Sequence, residues 1–320
     1  MKASDIGEFA LIKRLMDRQD VPDPAIVRGV GDDCAVLDVG EGPYMLIAAD
    51  MIVENIHFSL KWSSPEQIGS KLVECNVSDI VSMGGRPRYG IVSMALPKDT
   101  ELGFLDKLYD GVYSACNRHG MFIIGGDTTH GSDIVLNLTI VGDVEKRLLR
   151  ARDMAKEGDL ICVTGRLGGS EGGLRLLLAG MKGDVGPHLN PRSRCAEEGR
   201  TIARYANAMI DISDGLGSEL MHLCDESHVG AVIYKDKIPL SDPAIAAAGI
   251  LSESACDYAL YGGEDLELLF TVPEDNMEGL REAYEDFSII GRILSSEEGV
   301  AIDENGERKA IGPGYDHFRR

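Results

Sequence analysis

The amino-acid sequence predicts an α/β fold of the layered α+β kind, divided into two domains, on three observations. Short apolar runs of strand length alternate along the chain with amphipathic stretches of helical spacing. A charged connection over residues 146–159 interrupts that alternation, which restarts beyond it, so the division falls at 1–150 and 151–320. The 320 residues, 44% of them hydrophobic, suffice for two separate cores.

In chain order, residues 5–18 read as a short amphipathic helix with Phe9, Ile12, Leu15 and Met16 on one face. Residues 28–37 read as strand, tight turn and strand, with Gly31-Asp32-Asp33 in the turn. A buried strand over 44–51 loses its apolar run at Asp50, and His57-Phe58 follow a polar connection. The clearest helix spans 63–85. Ser63 and Ser64 offer an N-cap, Pro65 suits the first position, and Gly84-Gly85 supplies the stop. Ile68, Leu72, Ile80 and Met83 keep helical spacing, while Lys71, Cys75 and Asp79 share a face with Asn76 beside it. A strand at 88–96, a helix at 102–118 carrying Tyr109, and a strand at 121–124 come next. The last breaks into Gly125-Gly126-Asp127-Thr128-Thr129, and a long alternating strand at 134–144 closes the first half.

Beyond the boundary, a strand at 160–164 leads into the glycine-rich run 165–173. That run lacks the Gly-Lys-Ser/Thr ending of a P-loop, so it reads as a turn packed tightly on a helix start. Helices at 174–180 and 193–206, a strand at 208–212 carrying Asp211, and a helix ending near Ser227 follow. Strands at 230–234, 267–272 and 287–294 complete the half, the last as a central strand, with Gly262-Gly263-Glu264-Asp265 ahead of the second.

Composition excludes several classes of function. The 53 acidic against 32 basic residues leave a net charge of −21, which argues against a nucleic-acid surface, because phosphate contacts need a basic patch. No apolar run is long enough to span a bilayer and residues 1–8 have no signal-peptide pattern, so a cytoplasmic protein without membrane contact is expected. The seven cysteines, at 34, 75, 116, 162, 195, 224 and 256, are far apart and odd in number, which fits reduced thiols rather than metal or disulfide pairs.

Asp33, Asp50, Asp79, Asp127, Asp211 and Asp214 each sit where an element ends or a glycine turn begins. One such aspartate is ordinarily a cap or turn former. The whole set implies a shared crevice at the ends of strands, where α/β layers bind ligands. Carboxylates gathered there repel unless cations screen them, and oxygen donors without clustered His or Cys point to Mg²⁺. A magnesium crevice with glycine turns and no P-loop suggests nucleotide phosphate chemistry.

At this point the chain resembles the thiamine-monophosphate kinase family, part of the superfamily that includes aminoimidazole ribonucleotide synthetase. The resemblance covers nearly the whole chain: GEF at 7–9, GDDCAVL at 31–37, NIHF at 55–58, NVSDIVSMG at 76–84, GGDTT at 125–129, DISDGL at 211–216, GGEDLELLFT at 262–271 and GYDHF at 314–318. It implies an N-terminal α/β domain whose sheets associate in a homodimer, a C-terminal α/β domain, and ATP with substrate in the cleft between them. By the same resemblance, Asp33, Asp50, Asp79, Asp127, Asp211 and Asp214 hold several Mg²⁺. Tyr109, Gly126, Asp127, Arg152 and Ser213 contact ATP, and His57, Glu264 or Asp265, and Tyr315 lie at the thiamine phosphate. One departure stands out: where family members often carry Ser or Thr before the second aspartate, this chain has Ala48 and Ala49. At Ala49 only the backbone carbonyl or a water could then ligate. His57 taken alone reads as a turn or core histidine, and Tyr315 as a tail anchor.

The implied reaction is direct in-line transfer of the γ-phosphoryl of ATP onto thiamine monophosphate. Its acceptor phosphate, with a second pKa of about 6, needs no general base, so no acid, base or nucleophile is expected from the chain. Selenophosphate synthetase would need a reactive Cys or selenocysteine in an N-terminal glycine-rich segment, which Cys34, directly inside the metal turn, fits poorly; a hydrogenase-maturation dehydratase would need a C-terminal cysteine, whereas this tail reads Asp316-His317-Phe318-Arg319-Arg320. An enzyme like aminoimidazole ribonucleotide synthetase and a catalytically silent nucleotide-binding regulator remain as alternatives.

Overall fold

The computed structural model describes Asp5 and residues 7–16, 23–312 and 314. Its first half comprises α1 (Glu8–Met16), β1 (Ile26–Arg28), β2 (Ala35–Leu37), β3 (Tyr44–Val53), α2 (Pro65–Ser82), β4 (Arg86–Leu96), α3 (Leu102–His119), β5 (Phe122–His130) and β6 (Val135–Val144). The second comprises β7 (Leu160–Thr164), α4 (Gly169–Ala179), α5 (Gly186–Leu189), α6 (Ala196–Ala203), β8 (Met209–Asp211), α7 (Leu216–Ser227), β9 (Gly230–Tyr234), α8 (Asp242–Leu251), α9 (Ala255–Tyr261), β10 (Leu268–Val272), α10 (Met277–Ala283), β11 (Phe287–Leu294), β12 (Val300–Glu304) and β13 (Glu307–Ala310). Each half builds one mixed sheet. The first has the order β1-β2-β3-β6-β4-β5, parallel only between β4 and β5. The second has the order β13-β12-β9-β11-β7-β10-β8, parallel only between β12 and β9. No described helix is long and apolar enough to cross a membrane.

Several expected boundaries shift. Neither β3 nor β5 stops at its aspartate: β3 continues through Val53, and β5 runs on to His130 in register with β4. Glycine makes the second extension possible, since a Cβ at Gly126 would stand 2.0 Å from the Val92 carbonyl oxygen. β11 is central as expected, but the hairpin of β12 and β13 beyond it was not foreseen, because β13 is exposed throughout and β12 buries only Ile302. In α1, the apolar Ile12, Leu15 and Met16 remain exposed.

Helix α2 is the element on which both halves pack. The Ser64 hydroxyl accepts a hydrogen bond from the Gln67 backbone N–H, and the Gln67 side-chain oxygen accepts one from the Ser64 backbone N–H, completing a capping box. Ile68, Leu72, Val73, Val77 and Ile80 lie against the sheet beside Leu46, Val92 and Leu138 in one core. Its polar residues reach the other half. Glu74, fully buried, accepts from Arg118 at 2.5 Å and faces His119 at 2.9 Å within its own half, and accepts from Arg192 at 3.1 Å and the Ser193 hydroxyl at 2.8 Å across the boundary. Further along, Val81 meets α6 where Gly199 leaves no room for a side chain.

The opposite face of the first sheet is not covered by helices. Met51, Tyr89, Ile91 and Phe122 are all exposed there, and the cross-strand register places Tyr89 beside Phe122.

Burial alone would raise the Glu74 carboxyl, but its hydrogen bonds and the neighbouring cations outweigh burial and hold it at about 2, below its ordinary 4.5. The network therefore stabilises the fold fully above pH 4.5 and loses that contribution as pH falls toward 2. Glu74→Gln should cost on the order of 3 kcal/mol in urea unfolding at pH 7. The difference from the unsubstituted protein should shrink as pH is lowered through that window. A difference independent of pH would show that Glu74 is not the charged centre of the network.

Candidate active site

Three carboxylates converge where the two halves meet. Ligand oxygens of Asp33, Asp79 and Asp211 all lie within 4.8 Å of one another. Asp33 comes from the turn before β2, Asp79 from the last turn of α2, and Asp211 from the end of β8. Asp33 accepts a hydrogen bond from the Ser82 hydroxyl at 2.5 Å and is ion-paired with Arg152. Burial, together with Asp33, pushes the Asp211 carboxyl up to about 8. Burial and the charges of Asp50, Asp211 and Asp33 push Asp79 well above the carboxylate range. Asp50 is raised by burial and then by Asp33, and Asp32 by the same causes to about 7. Such a group is unfavourable without a positive partner, and Arg152 supplies only one. An all-oxygen donor set of this kind fits a hard divalent cation.

The other expected acids are placed differently. Asp50 faces α2 from β3, and its peptide is held on both sides: its N–H donates to Asn76 Oδ1 at 3.1 Å, and its carbonyl accepts from Asn137 Nδ2 at 3.0 Å. Asn76 is thus bonded to backbone on both sides, to the Asp50 N–H and to the Leu72 carbonyl. Asp127 is exposed on β5 and in register with Ser93 and Asn137, in the row of the uncovered sheet face, apart from the three-carboxylate group. Ala49 is exposed on β3 opposite Thr139. Asp214 follows Asp211 in a loop whose backbone N–H at 214 is held by the buried Glu219 at 3.0 Å, which also faces the Ser213 hydroxyl at 3.3 Å.

Beside this centre a cavity of about 330 Å³ opens between the halves. One wall is the 55–62 segment with His57, Phe58 and Trp62; the other is built from α4, His188, Ser213, Asp214 and Glu264. His57 Nδ1 accepts from the Val53 N–H at 3.1 Å, which turns the ring inward from the end of β3. The structure separates the two acids left open by the sequence. Asp265 accepts from the backbone N–H groups of Gly168 at 2.6 Å and Ser170 at 3.3 Å, and so caps α4. The glycine-rich run is therefore a packed turn whose helix terminus is already occupied by a carboxylate. Glu264 lines the cavity. Its Oε1 pairs with Lys71 at 2.5 Å, and its Oε2 stands 3.6 Å from His188 Nδ1.

Two expected ligand contacts stand elsewhere. Arg152 is committed to Asp33 and, through its backbone N–H, to Asp32 at 3.3 Å. Tyr109 sits on α3 against Tyr113, with ring centroids 5.6 Å apart, in a groove that shares no residue with the cavity. Tyr315 lies outside the described residues. The sequence reading missed Lys71, which pairs with the cavity-lining Glu264, and with it Ser82, His188 and Glu219. Lys71 and Ser82 had a signal, being eight residues before and three after Asp79 on α2. His188 and Glu219 had none.

Because the three carboxylates repel, removing one should stabilise the cation-free protein. In chelator, Asp211→Asn should melt higher than the unsubstituted protein by about 3 °C for each kcal/mol of repulsion relieved. Scanning fluorimetry checks this, and a lower melting temperature would mean that Asp211 contributes more in hydrogen bonds than it loses in repulsion.

Known proteins match this geometry over nearly its whole length. The pattern described as AIR synthase related protein, N-terminal domain, matches residues 31–144, and that of the C-terminal domain matches 156–304. Thiamine-monophosphate kinase of Escherichia coli strain K12 is 36% identical over 98% of each chain. That of Aquifex aeolicus is 33% identical over 99% of this chain and all of its own. Among solved structures, "AaThiL complexed with AMPPCP and TMP" superposes with a TM-score of 0.85 at 32% identity over 99% of both chains. The chain belongs to the thiamine-monophosphate kinase family of AIR synthase related proteins.

Proposed function

We propose that the protein transfers the γ-phosphoryl group of ATP to the phosphate of thiamine monophosphate, forming thiamine diphosphate and ADP. The observation that carries this reading is the three-carboxylate group at the side of an interdomain cavity, in a chain that aligns end to end with a relative complexed with AMPPCP and TMP. Asp33, Asp79 and Asp211 would hold Mg²⁺, with Asp50 and Asp214 as further oxygen donors; Asp127 and the Ala49 carbonyl, which stand apart from these three carboxylates, would contribute only at a separate position. Bound there, Mg²⁺ supplies neutralisation of the phosphate charges that otherwise keep two polyanions apart. Arg152, ion-paired with Asp33, would have to give up part of that pairing to meet a nucleotide phosphate. Ser213 and Gly126 complete the ATP contacts in this proposal, while Tyr109 stands in a groove of its own and would reach ATP only from there; His57 and Glu264 face the organic part of the acceptor, with Tyr315 as a further contact. Asp265 is left out, because capping α4 occupies both its oxygens.

The chain needs no general base, since the acceptor oxygen is already anionic near neutral pH with a second pKa of about 6. Its task is to align two phosphates and exclude water. In this division of labour residues 1–150 carry most of the metal and ATP contacts, and residues 151–320 close the cavity. The uncovered sheet face with Met51, Tyr89, Ile91 and Phe122 supports a homodimer formed through the N-terminal domain. A cytoplasmic site of action is part of this proposal.

Incubation with ATP, Mg²⁺ and thiamine monophosphate, with products identified by mass spectrometry, should yield thiamine diphosphate; absence of product would favour a silent nucleotide binder. Asp79→Asn should lower kcat by roughly a hundredfold or more, the scale of losing one charge-stabilising group in a transition state. Wild-type turnover in that variant at limiting Mg²⁺ would remove Asp79 from the ligand set. With chirally labelled γ-phosphate, a single displacement inverts configuration at phosphorus, and net retention would require a phosphorylated enzyme.

A further inference from the structure

We infer that Lys71 is a positioning residue for the organic end of the acceptor: it fixes the Glu264 carboxylate and the His57 segment, which come from different domains, in one relation. The inference rests on the reading of the interdomain cavity as the acceptor pocket. Lys71 is 4% exposed, on the face of α2 that leads to Asp79. Its Nζ donates to the His57 carbonyl at 2.5 Å and meets Glu264 Oε1 at 2.5 Å. Burying an ammonium group is unfavourable by several kcal/mol unless it is well paired. Here the two partners belong to facing walls of the cavity.

Glu264 needs such fixing. Its φ of 68° lies in the left-handed region that side-chain-bearing residues seldom adopt. Its backbone N–H is tied to the Ser213 carbonyl at 2.7 Å, in the loop that carries Asp211 and Asp214. Lys71 takes one carboxylate oxygen, which leaves the other toward His188. That imidazole, which burial and then Lys71 hold down at about 4, is neutral at pH 7 and does not compete as a cation for Glu264. The second oxygen is therefore oriented for an N–H donor or a cationic ring on the ligand, and its direction depends on a lysine from the other domain. A buried ion pair of this kind adds little net stability relative to apolar residues, so its effect is read in binding rather than in melting.

The test compares Lys71→Met, Lys71→Arg, Glu264→Gln and the Lys71→Met/Glu264→Gln double variant. It measures KM for thiamine monophosphate and for ATP, and calorimetric binding of thiamine monophosphate to the nucleotide-free protein. Lys71→Met should weaken thiamine monophosphate by about tenfold or more, the scale of one lost charge-assisted contact, and leave the KM for ATP within about twofold. Lys71→Arg should recover part of the loss, and the double variant should be no weaker than Glu264→Gln alone. If Lys71→Met does not fold because Glu264 is left without its partner, the double variant buries no lone charge and carries the same comparison. Additive losses in the double variant, an equal rise in both KM values, or an unchanged KM in Lys71→Met beside a raised one in Glu264→Gln would each overturn the inference. An unchanged affinity in Glu264→Gln would instead overturn the placement of the acceptor in this cavity.

Discussion

Holding Asp33, Asp79 and Asp211 within 4.8 Å of one another, in partly to fully buried positions, is the constraint that organises the rest of the structure. Isolated carboxylates at that separation would move apart or take up protons. They stay because each is anchored through backbone that has its own reason to be where it is. Asp33 follows the turn before β2, and its carboxylate is tied to Ser82 and Arg152. Asp79 is carried by α2, and Asp211 by β8, which is paired to β10 from Leu268 onward. Opposing hydrogen bonds offset part of the repulsion, and the remainder is latent affinity for cations.

Helix α2 can serve both domains because its neighbours come unusually close. A Cβ at Gly69 would stand 2.0 Å from the Leu108 carbonyl oxygen, and one at Gly111 of α3 would stand 2.0 Å from that of Glu66. Glycine at both positions lets the two helices touch backbone to backbone, which brings Arg118 and His119 of α3 to Glu74. From Glu74, the network continues to Arg192 and Ser193 of the other half. Lys71, Glu74 and Asp79 thus reach into the C-terminal half or its shared centre from one helix, and none can shift without the others.

The parts legible in the sequence were those written in local chemistry. The Ser64 cap, the Pro65 start and the stop near Gly84 depend on residues within one turn of each other, and the structure has them. The layered fold followed from the alternation of strand and helix patterns. Strand ends were less legible: Asp50 looked like a terminator because it ends an apolar run, and Asp127 because it follows the Gly125-Gly126 break, yet both lie within paired strands. Pairing partners distant in sequence, Leu138 for Asp50 and Ser93 for Asp127, decide that. The site was half legible for the same reason. Aspartates announced themselves by type and position, whereas His188 and Glu219 became part of the site only through tertiary packing. The division between Glu264 and Asp265 depended on which of two adjacent side chains met the start of α4, and adjacency in sequence carries no such information.

Charge completes the argument. A chain with a net charge of −21 cannot attract the two phosphate-bearing ligands proposed for it by its overall field, which is repulsive. It has to bind through local arrangements in which cations stand between like charges. The centre that would hold them takes Asp33 and Asp79 from one domain and Asp211 from the other, so it exists only when the domains are docked. The docking itself is fixed chiefly by Glu74, a buried charge on the helix that also carries Asp79. Forming the interface and assembling the carboxylate centre are therefore one event, and a loosened interface should lower cation affinity before it unfolds either domain.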